Sequence, residues 1–168
     1  MVIIAGQDLN ELLGLGAIQE MIDPVVQVQM CGVDMTLMKA ERFLSSGAVD
    51  YNNKERNLPE TEEIPFDKEG WIDLEAGAYR VTFNETVDIP EDMTALAKPR
   101  STLLRCGATM ETALWDPGYR GKSQSLLVIH NPSGLRLKKN GRLMQLVFYR
   151  LSSAAEKLYE GAYQGENL

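Results

Sequence analysis

The sequence predicts a mainly β domain, a distorted jelly roll or β-barrel of short strands with a short helix near each end. Three observations predict it. Apolar and polar residues alternate over short runs: Val33, Met35 and Leu37 with Asp34 and Thr36, then Tyr79, Val81 and Phe83 with Arg80, Thr82 and Asn84. Alternation with a period of two is what a half-buried strand produces. Turn chemistry punctuates the runs, as at Pro132-Ser133-Gly134 and Asn140-Gly141, and many short, regularly punctuated strands make a barrel or jelly roll. Helical spacing is confined to the two ends. The chain has 168 residues; at roughly 150 residues per domain this is one domain over 1–168.

The elements follow in order. Leu9, Leu12 and Leu13 stand at i, i+3 and i+4, and Gly14 and Gly16 end the run, which predicts a helix. Ile22-Asp23-Pro24 reads as a turn. Val26, Val28 and Met30 alternate with Gln27 and Gln29 and predict a strand. Residues 126–129 form a continuous apolar run. Residues 143–151 are mostly apolar on both faces, as in a strand covered on both sides. Residues 153–158, Ser-Ala-Ala-Glu-Lys-Leu, predict one or two helical turns. The segment 50–63 differs: it holds five acidic residues and Pro59, and is almost free of apolar residues. It is expected to be an exposed loop, long enough to be an insertion. A functional flap and a plain surface connection are both open for it.

Charge and composition exclude several classes. Seventeen basic residues against 24 acidic ones leave a net charge of −7, which argues against non-specific nucleic-acid binding, since that needs Lys and Arg to displace counterions. An anionic small substrate stays open. No apolar stretch is long enough to span a membrane, and the N-terminus lacks the basic and apolar regions of a secretion signal. Cys31 and Cys106 show no CxxC spacing, which fits a reduced, cytoplasmic chain and excludes a cysteine zinc site. With His130 the single histidine, catalysis is expected to rest on carboxylates, hydroxyls and arginines.

Four segments carry polar residues inside strand-like sequence. In 31–37, Asp34 lies on the polar side of an alternating strand; a solvated aspartate is the commoner fate of such a residue. In 98–107, Arg100 and Arg105 flank Ser101 and Thr102. Arginine is the best fork for phosphate oxygens, and a helical turn opening at Ser101 would add backbone N–H groups; a capped, solvated turn is the alternative. In 113–121, Pro117-Gly118 sets a tight turn between Asp116 and Tyr119, either an Asx turn or a carboxylate and an aromatic placed for a sugar or a water. In 140–146, Gln145 interrupts the most apolar strand, and a buried amide needs partners.

Taken in order, CGVDMTL, PRSTLLRCG, DPGYRG and GRLMQL resemble the ordered motifs of the dUTPase and dCTP deaminase superfamily, over roughly residues 7–165. The resemblance implies a trimer of β-rich jelly-roll subunits with sites at subunit interfaces. It implies that Arg100 and Ser101, with neighbouring Thr102, bind phosphate, and that Gln145 contacts phosphate oxygens. It implies that Asp116 meets the deoxyribose 3′-hydroxyl and orients the attacking water, while Tyr119 packs on the sugar and excludes a 2′-hydroxyl. Asp34 matches the aspartate near the metal–triphosphate, acting on Mg²⁺ through water, and Arg105 matches an arginine of the deaminase side. Residues 159–168, with Tyr163 and Gln164, stand where a closing tail over the substrate would be.

The chemistry chooses between the two activities. Deaminating cytosine needs a proton shuttle, which the family's deaminases take from a glutamate on the strand after the DPG turn. Here residues 122–131 contain no acid, and Gln124 cannot shuttle a proton as a carboxylate does. Glu111 is the one acid expected within reach from the neighbouring strand, and it is read as exposed. Cleaving a phosphoanhydride needs a positioned water, a carboxylate and cations. The expected substrate is therefore dUTP with Mg²⁺, and dCTP deamination, alone or combined, is the alternative. The Asp-Pro-Gly turn and the lack of a glycine-rich C-terminal arm set the chain apart from the usual trimeric dUTPases.

Overall fold

The structure, a computed structural model, describes residues 2–168. Its first half holds β1 (Val2–Ile3), α1 (Gly6–Gly14), β2 (Ile18–Gln19), α2 (Pro24–Gln27), β3 (Val28–Gln29), β4 (Gly32–Phe43), β5 (Thr61–Glu63) and β6 (Trp71–Leu74). The second half holds β7 (Gly77–Phe83), β8 (Thr86–Asp88), β9 (Met93–Pro99), α3 (Ser101–Arg105), β10 (Ala108–Glu111), β11 (Arg120–Gly121), β12 (Gln124–Ile129), β13 (Leu135–Lys138) and β14 (Arg142–Arg150). The main sheet runs β1-β14-β4-β7-β12-β10, with β3 and β5 also on β4 and β9 also on β14. Smaller sheets, β11-β8-β2 and β13-β6, complete the wall.

β4 organises the molecule. Its first half pairs with β14 and its second half with β7. A register shift between Leu37 and Lys39 bends it from one partner to the other, as a bulge does where a sheet turns a corner. Val33, Met35 and Leu37 are fully buried and pack with Phe83, Leu127, Leu146 and Phe148 into one core. β14 departs from the expectation of a strand buried on both faces. Leu146 and Phe148 are buried while Gln145, Val147 and Tyr149 are only half-covered.

The N-terminal helix is where the leucine spacing puts it. Leu9 and Leu12 face the core, and Gly16 takes φ +93°, a conformation that stops a helix cheaply only at glycine. Two expectations are corrected. The alternation at 26–30 yields β3 alone, because Val26 belongs to α2: Asp23 caps that turn, accepting from the N–H groups of Val25 and Val26, and Pro24 starts it. No helix forms over 153–158. Long-range bonds hold this stretch instead: Ala155 N–H donates to Glu91 O at 3.2 Å and, just past the segment, Tyr159 N–H donates to Pro117 O at 2.8 Å.

The acidic segment is the far half of a long hairpin. Thr61, Glu62 and Glu63 pair with β4 opposite Phe43, Arg42 and Glu41, and Ala48 bridges to Asn57. Residues 51–58 are exposed. At the hairpin base Arg80 grips the buried Glu41 through two bonds of 2.8 and 3.1 Å.

Candidate active site

Strand register brings three distant motifs together. β14 lies antiparallel to β4 with Gln145 opposite Asp34, and to β9 with Met144 opposite Pro99, the residue before Arg100. Arg100 N–H donates to Leu143 O at 3.0 Å, fixing the backbone where β9 passes into α3. Asp34 is 2% exposed rather than solvated. Its Oδ2 meets Arg100 Nε and Arg142 Nη1, each at 3.0 Å. Burial pushes the Asp34 carboxyl up, against the opposing pull of these guanidiniums. Two guanidiniums on one carboxylate leave net positive charge, and both arginines are part-exposed. Guanidiniums arranged in this way can take an anion. Ser101, Thr102 and Arg105 are exposed on α3, and Arg105 Nη1 donates to Ser101 O at 3.0 Å.

Beneath the cluster lies a group that sequence patterns miss. Glu85 is fully buried. It accepts from Gln27 Nε2 at 2.7 Å, from Thr36 N–H at 2.9 Å and from the Thr36 hydroxyl. Gln27 Nε2 also donates to Asp34 O at 2.9 Å. Burial pushes the Glu85 carboxyl above its ordinary value, and the bonds from Thr36 and Gln27 offset part of that. Glu85 thereby ties α2 to the stretch of β4 that carries Asp34.

The second group surrounds a cavity of about 460 Å³. Tyr119 N–H donates to Asp116 O at 3.1 Å, closing the Pro-Gly turn. Gly118 takes φ +81°, and a Cβ there would also strike Leu158 at 2.8 Å. The exposed Asp116 and the buried Tyr119 line the cavity with Ser123 and Gln124 of the following segment. The Ser123 hydroxyl is buried without a hydrogen-bond partner among the described residues. Leu58 and Pro59 of the hairpin form part of the wall.

The C-terminal segment crosses the same cavity. Gly165 N–H donates to Arg120 O at 2.8 Å and Lys122 N–H to Glu166 O at 3.0 Å. Gln164 brackets the turn, accepting from Arg120 N–H at 2.9 Å and donating to Gly118 O at 2.8 Å. Tyr159, Tyr163 and Glu166 line the cavity, and the Arg56 guanidinium lies 5.8 Å from the Tyr163 ring centre. Glu166 accepts from the Tyr119 hydroxyl at 2.8 Å. Burial pushes the Glu166 carboxyl up; the Tyr119 bond and the charge of Arg80 pull it down. Burial, with the Glu166 contact, pushes the Tyr119 phenol far up, so it stays a donor.

The two groups do not share this cavity. None of Asp34, Arg100, Ser101 and Gln145 lines it. Trp115, next to Asp116, bridges Ala95 at one end of β9, while Arg100 follows the other end. At about 3.3 Å per strand residue, some 16 Å separates them within one chain. Glu111 is exposed on β10 and lines a smaller neighbouring cavity with Arg80 and Gln124. Arg142, Glu85 and Glu166 were not singled out from the sequence. Arg142 lies in the GRLMQL motif and Glu166 in the C-terminal segment 159–168, whereas Glu85 sits in no pattern that marks it.

Residues 3–151 match the model of the dCTP deaminase-like family, and the chain belongs to that family, part of the dUTPase and dCTP deaminase superfamily. Within it, the chain is 48% identical over its full length to a probable deoxyuridine 5′-triphosphate nucleotidohydrolase of Methanococcoides burtonii, covering 100% of both chains. It is 46% identical to the protein of the same name from Methanosarcina mazei, over 99% of each. A deoxyuridine 5′-triphosphate nucleotidohydrolase of Methanocaldococcus jannaschii is 37% identical over 83% of this chain and 88% of its own. The fold matches the 2′-deoxycytidine 5′-triphosphate deaminase of Agrobacterium tumefaciens with a TM-score of 0.65 and 24% identity, over 87% of this chain. This chain spans 47% of that protein's length. Among the described residues no helix is long and apolar enough to cross a membrane.

Proposed function

We propose that the protein hydrolyses dUTP to dUMP and diphosphate. The observation that carries this reading is the turn that sets the Asp116 carboxylate and the Tyr119 ring side by side on the cavity wall, in a chain whose full-length relatives bear that name. The Tyr119 ring packs on the deoxyribose, and Ser123 and Gln124 face the base. Asp116 orients a water and takes its proton as the water oxygen attacks the α-phosphorus. The α–β bridging P–O bond breaks and diphosphate leaves. Arg100, Arg142, Ser101 and Gln145 hold the triphosphate, with Thr102 and Arg105 at its edge, so charge shifting toward the leaving group meets fixed cations.

Mg²⁺ belongs to the substrate in this reading, carried by the triphosphate and neutralising its charge. The donor set fits that arrangement. Asp34 Oδ2 is shared by two guanidiniums, which leaves the residue a water-mediated role. In a side-by-side assay, dUTP releases diphosphate with Mg²⁺ and loses most of that activity in excess EDTA. dCTP releases no ammonia, because Gln124 stands where a shuttle is needed. Full activity in EDTA sinks the role of the ion.

Deamination of dCTP is the second reading, and one observation favours it: the tail brings the Glu166 carboxyl to the cavity that Gln124 lines. Ammonia release by the wild type that disappears in Glu166→Gln, and persists in Glu111→Gln, would select it.

The separation of the two groups supports a homotrimer whose sites form between subunits, one supplying the arginine cluster and its neighbour the cavity. Arg100→Ala and Asp116→Asn are then each nearly inactive, and subunits mixed by refolding recover activity well above either alone. Mixed subunits no more active than their parents would put the whole site in one chain.

A further inference from the structure

Tyr119 is held at both ends. The turn fixes its backbone, and its hydroxyl, in a residue only 5% exposed, donates to Glu166 at 2.8 Å. Tyr159, also from the C-terminal segment, meets the ring edge-on, with centres 5.6 Å apart and planes at 74°. The backbone between them leaves room for this contact. A Cβ on Gly121 would lie 2.9 Å from the Tyr119 hydroxyl and 3.2 Å from Glu166 N. A tyrosine anchored only through its backbone can swing about its side-chain torsions; one also bonded at its tip keeps one plane.

We propose that Glu166 is a positioning residue for sugar selection. By holding the Tyr119 hydroxyl it keeps the ring in the plane that leaves no room for a 2′-hydroxyl. Discrimination between deoxyribose and ribose is complete only while the C-terminal segment is docked. This inference rests on the dUTP reading above, with Tyr119 against the sugar. Excluding one hydroxyl by packing is worth a modest factor, because a misplaced ring loses the exclusion without destroying the site.

The test is the ratio of kcat/KM for dUTP over UTP in the wild type, Tyr119→Phe, Glu166→Leu, Glu166→Gln and the Phe/Leu double variant. Tyr119→Phe and Glu166→Leu each lower the ratio about tenfold, chiefly by raising kcat/KM for UTP, and the double variant lowers it no further, since both remove one bond. Glu166→Gln, whose amide oxygen still accepts from the phenol, stays near the wild-type ratio. A general loss of folding lowers both substrates together and leaves the ratio where it was. An unchanged ratio in Glu166→Leu, or additive losses in the double variant, overturns the proposal. If the wild type releases no diphosphate from dUTP, the dUTP reading fails. The positioning role is then read from the Kd ratio of dUMP and UMP in the same variants, and an equal ratio throughout overturns it as well.

Discussion

Replacing Asp116 by asparagine is expected to lower dUTP turnover by at least about 10²-fold, the lower end of what a positioned general base supplies. The change keeps side-chain shape and removes only the carboxylate proposed to accept the water's proton. Asp116 is exposed at the cavity, so no buried partner is orphaned and the fold survives. Its backbone oxygen still accepts from Tyr119 N–H, so the turn and the Tyr119 ring stay in place. Binding of a non-hydrolysable dUTP analogue therefore changes far less than kcat. Single-turnover kinetics separate the two, and near-normal turnover would refute the role of this carboxylate.

The second large effect is on stability. Glu85→Ala is expected to destabilise the protein by about 3 kcal/mol, because it strands three donors that now point at its carboxyl oxygens and leaves a void in their midst. For a chain of this size that is a fall of about 10 °C in Tm. Urea unfolding at neutral pH measures it; a loss within about 0.5 kcal/mol, the range of ordinary surface changes, contradicts the role of Glu85 as a tie. A pH series adds a signed check. The folded-state carboxyl titrates above its ordinary 4.5, so the folded protein keeps this proton to higher pH than the unfolded chain does. The contribution is fully present below about 4.5 and is lost as pH rises through the folded value. Relative to the non-titrating Glu85→Gln, wild-type stability declines over that rise, and a parallel pair of curves contradicts the shift.

Local patterns were enough to read much of the fold. A period of two at 33–37 and 79–83, leucine spacing at 9–13 and glycine stops need no tertiary knowledge, and the structure has strands and a helix there. The misreadings share one cause, competition from chain elsewhere. Residues 153–158 have helical propensity, but Glu91 takes the Ala155 N–H and Pro117 that of Tyr159, just past the segment. Val26 fits a strand by alternation, but the cap from Asp23 turns the backbone first. The solvated reading of Asp34 fails because the polar face of β4 is covered by two arginines from other segments.

The class of domain, the family and the four motifs are legible in the sequence, since these depend on residue type and order along one chain. How the motifs are grouped depends on pairing between distant strands. Pairing of β14 with both β4 and β9 sets Asp34, Arg100 and Gln145 together, whereas Asp116 and Tyr119 stand at the opposite end of β9. Tertiary packing also brings Glu85 and Glu166 to places that no periodicity announces. A carboxylate's environment is set by what packs around it, and both of these are surrounded by segments distant in the chain.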